Sequence, residues 1–221
     1  MIDINFQQTS GGPTRIGDWC QLRIVLEGPA PEIWRRLVVP ANATMGWLHA
    51  VLQISMGWTN SHLHEFRSGD KVISSPKFEL EQFGDSSPVV DEGKIRLNEV
   101  VSASGETFTY QYDFGDSWDH LIMVEDLLDP GVAIKRKAVC LGGEGACPPE
   151  DCGGYPGYAN LLEALRDRKH PEHKAMQEWL GRPFDADHFL VADANFWLGK
   201  LSWPRVTEAG LGKILTARFR M

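Results

Sequence analysis

The feature that most constrains this chain is an alternation running from Thr107 to Glu125, TFTYQYDFGDSWDHLIMVE. On an extended backbone Phe108, Tyr110, Tyr112 and Phe114 share one face, and Thr107, Thr109, Gln111 and Asp113 share the other. After Gly115-Asp116-Ser117 the period resumes, with Trp118, His120, Ile122 and Val124 against Asp119, Leu121, Met123 and Glu125. Period two with aromatic and β-branched residues is a strand signature, and the Gly-Asp-Ser cluster between the halves is turn chemistry. The stretch therefore predicts a β-hairpin whose aromatic face must be covered by an apolar layer from elsewhere.

Earlier residues supply a second hairpin. In Trp19–Leu26 the residues Cys20, Leu22, Ile24 and Leu26 alternate, and in 33–39 Ile33, Leu37 and Val39 oppose Trp34, Arg36 and Val38. Pro40 has no amide to donate and closes that strand. Thr44 is placed to cap a helix carrying Trp47, Leu48, Val51, Leu52 and Ser55, and Gly57 stands at its C-terminal cap. That helix is expected to be amphipathic and to lie on the sheet. A short strand over His62–Arg67, an irregular charged stretch over 74–96 and a basic strand over 135–140 complete this half. Residues 140–157 are too rich in glycine and proline for regular structure. Three short helices are expected beyond, with Pro171 in the first turn of the second and Gly181 ending it. Asp185 would cap the third, which bears Phe189, Ala192 and Phe196. The predicted fold is α+β: a mainly antiparallel sheet within 19–140, with both hairpins in one sheet, a covering helix and a small helical C-terminal segment. Residues 1–18 read as a loose arm, 19–193 as one domain and 194–221 as a basic extension.

Composition narrows the function classes. The chain has 221 residues, 43% of them hydrophobic, which is enough for a full core. No run of about 18 apolar residues offers a membrane span, and the N-terminus lacks the basic and apolar regions of a signal peptide. A net charge of −8 argues against coating nucleic acid wholesale, while leaving a local basic patch open. Four cysteines, three of them between positions 140 and 152, fit a reduced cytoplasmic protein better than a secreted disulfide framework.

Several blocks carry a resemblance: Trp34-Arg35-Arg36, Met56-Gly57-Trp58, His62-Leu63-His64-Glu65-Phe66, the DFGDSWDH run from Asp113 to His120, and the CPPEDCGG run from Cys147 to Gly154. Together they resemble the plasmid ORF-three-like family, named after an open reading frame on the root-inducing plasmid pRiA. The resemblance spans roughly 18–190 and implies little about function, because members are mostly uncharacterised. Some carry resolvase or integrase-like labels. The residues here lack both the arginine–histidine box around a nucleophilic tyrosine and the N-terminal catalytic serine that those chemistries need.

Three groups of residues can carry chemistry. Cys140, Cys147 and Cys152, spaced C-x6-C-x4-C, can hold a structural zinc with His120, His170 or His173 as fourth ligand. They can equally be reduced loop thiols or contain a redox pair. His62, His64, Asp113, Asp116, Asp119 and His120 can converge as a divalent-metal or acid–base site if their strands are neighbours. Turn aspartates bonding their own backbone are the alternative. Glu150-Asp151 reads first as a cap or loop pair. Arg35, Arg36, Lys135 and Lys137, with Trp118, can form a surface patch for a protein or nucleic-acid partner. With no P-loop, G-x-G-x-x-G turn or H-E-x-x-H helix, the sequence favours a non-catalytic binding or adaptor module, possible zinc included. A metal-dependent hydrolase or nuclease built on the His/Asp group is the alternative.

Overall fold

The computed structural model describes residues 18–76, 89–128 and 138–219. Eight strands form one sheet: β1 Trp19–Leu26, β2 Ile33–Pro40, β3 His64–Ser68, β4 Lys71–Ser74, β5 Val89–Asp91, β6 Thr107–Tyr112, β7 Trp118–Leu128 and β8 Val139–Glu144. Their order is β5-β4-β3-β6-β7-β1-β2-β8, with every neighbouring pair antiparallel except β4–β5. The two hairpins of the sequence are β1–β2 and β6–β7, and they meet because β1 pairs with β7. The fold is α+β with a mainly antiparallel sheet. Five helices complete it: α1 Met45–Met56, α2 Gly154–Arg166, α3 His173–Leu180, α4 Val191–Leu198 and α5 Glu208–Phe219.

The inward face of the sheet carries Leu22, Ile24, Leu37, Phe66, Phe108, Tyr110, Tyr112, Trp118 and Ile122, all buried. Against it lies α1, capped as its ends predict: the Thr44 side chain accepts from Trp47 N, and Gly57 takes a left-handed φ of 105°. The helix is not amphipathic in its setting. Every residue except Gly46 is buried, as suits a helix covered all round. The second cover comes from beyond residue 194, where Trp197, Leu198, Leu211 and Leu215 join the same core. Trp47 packs edge-on against Trp203 at 5.0 Å and donates to Ser202 O. Among the described residues no helix is long and apolar enough to cross a membrane.

Several expected elements shift. The strand expected over His62–Arg67 begins at His64, so His62 precedes it. Pro171 sits before α3, which starts at His173, while Gly181 caps it with φ 65° as expected. The helix expected from Asp185 is α4, starting at Val191 with Leu190 at its cap; Asp185 instead holds a turn by accepting from Asp187 N. The stretch 74–96 contributes β5, and the basic strand is described only from Val139 onward, so Lys135 and Lys137 lie outside the described residues. The arm over 1–17 lies outside them too.

The surface patch is corrected at two of its members. Trp118 is buried on the inward face of β7, and Arg35, at 1% exposure, lies inside the core because it shares the inward face of β2 with Ile33 and Leu37. Among the described residues its guanidinium pairs with no carboxylate there. It donates instead to Ser55 O at 2.9 Å, Trp34 O and Glu144 O at 2.7 Å each, and Gly145 O at 2.8 Å, with the Phe189 ring stacked 3.7 Å away. A Cβ on Gly143 would stand 2.6 Å from that ring and 2.9 Å from the Arg35 Cδ, so the strand needs glycine there. Arg36 faces the other way and forms a two-pronged pair with Glu125. The edge strand β8 is closed by Asn195 of α4, whose amide accepts from Cys140 N at 2.9 Å and donates to Cys140 O at 2.8 Å. The two arginines should therefore separate in urea unfolding. Arg35→Met removes the donor from four carbonyls in and beside the core and should cost about 3–5 kcal/mol, whereas Arg36→Ala should cost about 1 kcal/mol or less. Equal costs would place Arg35 among ordinary surface charges.

Candidate functional site

Three loops meet at one end of the sheet: the 57–63 link between α1 and β3, the 113–117 turn of the β6–β7 hairpin, and the 147–153 segment before α2. Each is held by polar contacts that its own residues specify. In the hairpin turn Asp113 takes φ 59° and its Oδ1 accepts from Gly115 N at 3.0 Å, an Asx turn that leaves Oδ2 toward the 57–63 link. Asp116 docks that turn on the cysteine loop, its Oδ2 accepting from Gly153 N at 3.1 Å. Gly154, with φ +64°, lies so close that a Cβ would stand 2.7 Å from Asp116 O. The DFGDS and CPPEDCGG motifs are thus two halves of one contact.

The link carrying His62 hangs from buried side chains. Thr59 N donates to Glu150 Oε1 at 2.6 Å, Asn60 N to Gln53 Oε1 at 2.8 Å, and Ser61 N to the Tyr112 hydroxyl at 3.0 Å. Three consecutive amides are therefore held by three different elements. Glu150 Oε1 also accepts from Thr59 Oγ1 at 2.8 Å, and the Tyr112 hydroxyl lies 3.1 and 3.2 Å from its two oxygens. The result aims His62 Nε2 at three carboxylates: Asp151 Oδ1 at 3.0 Å, Asp113 Oδ2 at 3.5 Å and Glu150 Oε2 at 3.7 Å. This nitrogen is shielded from solvent and makes no well-aligned hydrogen bond to any of them. Among the described residues, His62, Asp113 and Asp151 are the group whose ligand atoms all lie within 4.8 Å of one another. Asp151, itself at φ 58°, is 71% exposed, so the cluster opens to solvent on that side.

The other residues singled out in the sequence go elsewhere. His64 leaves His62 because β3 turns its side chain into the core, where it stacks on His49 at 3.4 Å and contacts Glu92 Oε2 at 2.7 Å. His120 is wholly buried, with Nδ1 against Tyr110 O at 3.1 Å. Asp119 faces the opposite side of the sheet from His120. The three thiols do not gather into a ligand group among the described residues. Cys140 sits on β8 with its thiol toward Gly142 O, Cys147 lies 3.9 Å from the Arg35 guanidinium, and Cys152 neighbours Asp116. Burial pushes the Cys147 thiol up to about 11 and Cys152 to about 12, so both are protonated at neutral pH. His173 Nδ1 is 2.8 Å from Ala164 O, and His170 accepts from Glu172 N, both in the α2–α3 region. Residues the sequence reading passed over are His49, Gln53, Asn60 and Glu92. A signal existed: His49 and Gln53 stand four apart on a helix otherwise almost wholly apolar.

This pairing of loops coincides with the blocks that matched the known family. Residues 18–193 match the plasmid pRiA4b ORF-3-like protein family. The chain belongs to that family. An uncharacterised protein, y4hQ of Sinorhizobium fredii (strain NBRC 101917 / NGR234), is 41% identical over 177 residues, covering 80% of this chain and 86% of its own. The crystal structure of a protein of unknown function, MM3350 from Methanosarcina mazei Go1, superposes with a TM-score of 0.70 at 32% identity, covering 79% of this chain and 96% of that one. In this member of the pRiA4b ORF-3-like family the match ends at residue 193, inside α4, although the core continues through α5.

The buried histidines make a pH prediction. Burial holds His49 and His64 at about 3 and His120 at about 4, well below the ordinary 6.5. The unfolded chain therefore takes up these protons first. Stability is full above about pH 6.5 and falls as the pH drops toward 4, by up to about 1.4 kcal/mol per pH unit for each histidine. Glu92, whose carboxyl burial raises, works in the opposite direction over its own range. Urea midpoints at pH 7.5, 6 and 5 should fall steadily; a flat series would show that these rings are not neutral in the folded chain.

Proposed function

We propose that this protein binds a divalent cation through His62 Nε2, Asp113 Oδ2 and Asp151 Oδ1 and uses it as a Lewis acid on a substrate entering from the Asp151 side. One observation supports this most: a shielded imidazole nitrogen without an aligned hydrogen bond faces three carboxylate oxygens at 3.0–3.7 Å. Ligands about 2.1 Å from a small divalent ion stand roughly 3.0–3.4 Å from one another; the His62–Asp151 spacing of 3.0 Å fits such a shell, and Asp113 and Glu150, at 3.5 and 3.7 Å, need only a small inward shift to join it. One nitrogen with two or three oxygens suits manganese, iron or zinc better than calcium, whose shells take six to eight oxygens. Glu150 Oε1 is tied down by Thr59, which leaves Oε2 as a fixed fourth ligand or as a base. The exposure of Asp151 gives the ion positions for water and substrate, and a metal-bound water is a nucleophile near neutral pH. Hydrolysis is the reaction class this supports. The four free cysteines favour a reducing, cytoplasmic location.

Titration calorimetry of metal-free protein with Mn²⁺ and Zn²⁺ at pH 7.5 should show about one ion per chain. His62→Ala and Asp113→Asn should each weaken binding about tenfold or more, close to 1.4 kcal/mol. Absence of binding would mean that no ion is held and that the cluster is a contact between the three loops. Chromogenic ester, amide and phosphodiester substrates, with and without the ion, then test turnover. Binding without turnover of any of them would return the protein to an ion-dependent binding module.

A further inference from the structure

Behind the His62 loop lies a closed ring of hydrogen bonds whose directions can be deduced one from another. Asn60 N is a donor, so the Gln53 side-chain oxygen faces it, at 2.8 Å. The Gln53 amide nitrogen must then point to the Tyr110 hydroxyl, at 3.0 Å, and the hydroxyl accepts. At the other end of the ring Asn60 Oδ1 can only accept, so the neutral His49 carries its proton on Nε2 and accepts at Nδ1 from the hydroxyl at 2.9 Å. The Nε2 proton goes to Asn60 Oδ1 at 2.7 Å, closing the ring. Each of the four residues donates once and accepts once. Gln53 and Tyr110 are fully buried and His49 is 5% exposed. A core needing only stability would place apolar residues here, because a buried polar ring is favourable only when complete. What the ring holds is Asn60, at φ 59° and two residues before His62.

Building on the cation site proposed above, we infer that His49, Gln53 and Tyr110 are positioning residues, and that their ring with Asn60 fixes the loop so that His62 Nε2 faces Asp113 and Asp151. None of the three touches the cluster. They act through Asn60 N and Oδ1, which hold its left-handed backbone from both sides, while Ser61 N is held by Tyr112. His64, stacked on His49 at 3.4 Å with an interplanar angle of 5°, keeps the His49 ring in its plane.

The test compares four variants by Mn²⁺ calorimetry and by hydrogen exchange of the Asn60 and Ser61 amides, at a temperature where circular dichroism shows each folded. His49→Phe fills the space but donates and accepts nothing. Asn60→Gly keeps the left-handed backbone accessible and removes the acceptor at a half-buried loop position. Both should weaken Mn²⁺ binding about tenfold or more and speed amide exchange by a similar factor. His49→Gln, which retains one donor and one acceptor, should stay within about threefold of the parent on both measures. Leu48→Ala lowers stability from the same helix without touching the ring and should leave both unchanged. Parent-like affinity and exchange in His49→Phe, or equal losses in Leu48→Ala, would overturn the positioning role. If the parent itself binds no Mn²⁺, the cation site fails, and the exchange rates alone decide the ring: unchanged exchange in His49→Phe and Asn60→Gly overturns it.

Discussion

A single buried guanidinium organises this molecule. Arg35 carries its charge into the core with no carboxylate among the described residues to meet it, and burial lowers its pKa. Such a charge is tolerable only if its N–H groups are satisfied, and here main-chain carbonyls do so. Those carbonyls belong to β2 itself, to the last turn of α1, to the end of β8 and to the loop that follows. Their convergence on one side chain brings helix, edge strand and cysteine loop together. The C-terminal carbonyls of α1 form the negative end of its dipole, which suits a cation. Arg218 of α5 reaches the neighbouring carbonyl, Ile54 O, and also pairs with Asp193 at 3.1 Å. Two arginines from opposite ends of the chain thus cap one helix, which is why residues beyond 194 belong to the same core.

The three-loop junction sits one layer away from this anchor. Trp58, immediately after the α1 cap, donates to Pro148 O and packs on Tyr112 at 4.8 Å, so the same helix end sets the spacing between the His62 link and the Glu150 loop. From there the construction is polar. Side chains stand in for strand partners at Thr59, Asn60 and Ser61, where the backbone is irregular and its amides would otherwise be orphaned. Asn60, Asp113 and Asp151 all take positive φ, a conformation that asparagine and aspartate accept more readily than other non-glycine residues. Left-handed backbone and buried polar groups both cost stability, and here they are concentrated where His62 meets its carboxylates.

The hairpins, the ends of α1 and the α+β class were legible because each rests on local chemistry. Alternation from Phe108 to Val124 permits only a strand pair with one buried face, and Thr44 and Gly57 satisfy the helix ends whatever lies nearby. Those residues by themselves determined the sheet, its inward face and the helix laid on it. The site was legible only in its ingredients. The sequence points to His62 and Asp113, but it groups His64 and His120 with them and presents Asp151 as a loop acid. Whether two polar residues meet depends on where β3 begins and on which loops dock, and no period in the sequence encodes that. Period-two alternation fixes a side chain's face only within the strand itself, so a residue just before the strand is not bound by it. Because β3 starts at His64, that ring enters the core while His62 remains at the rim. Arg35 shows the same limit: the sequence puts it in a surface patch with Arg36, and only the carbonyls of α1 and β8, distant in sequence, make an inward charge tolerable. Tertiary structure decided which polar groups were satisfied by whom, because hydrogen-bond partners 50 to 110 residues apart are chosen by packing rather than by local pattern.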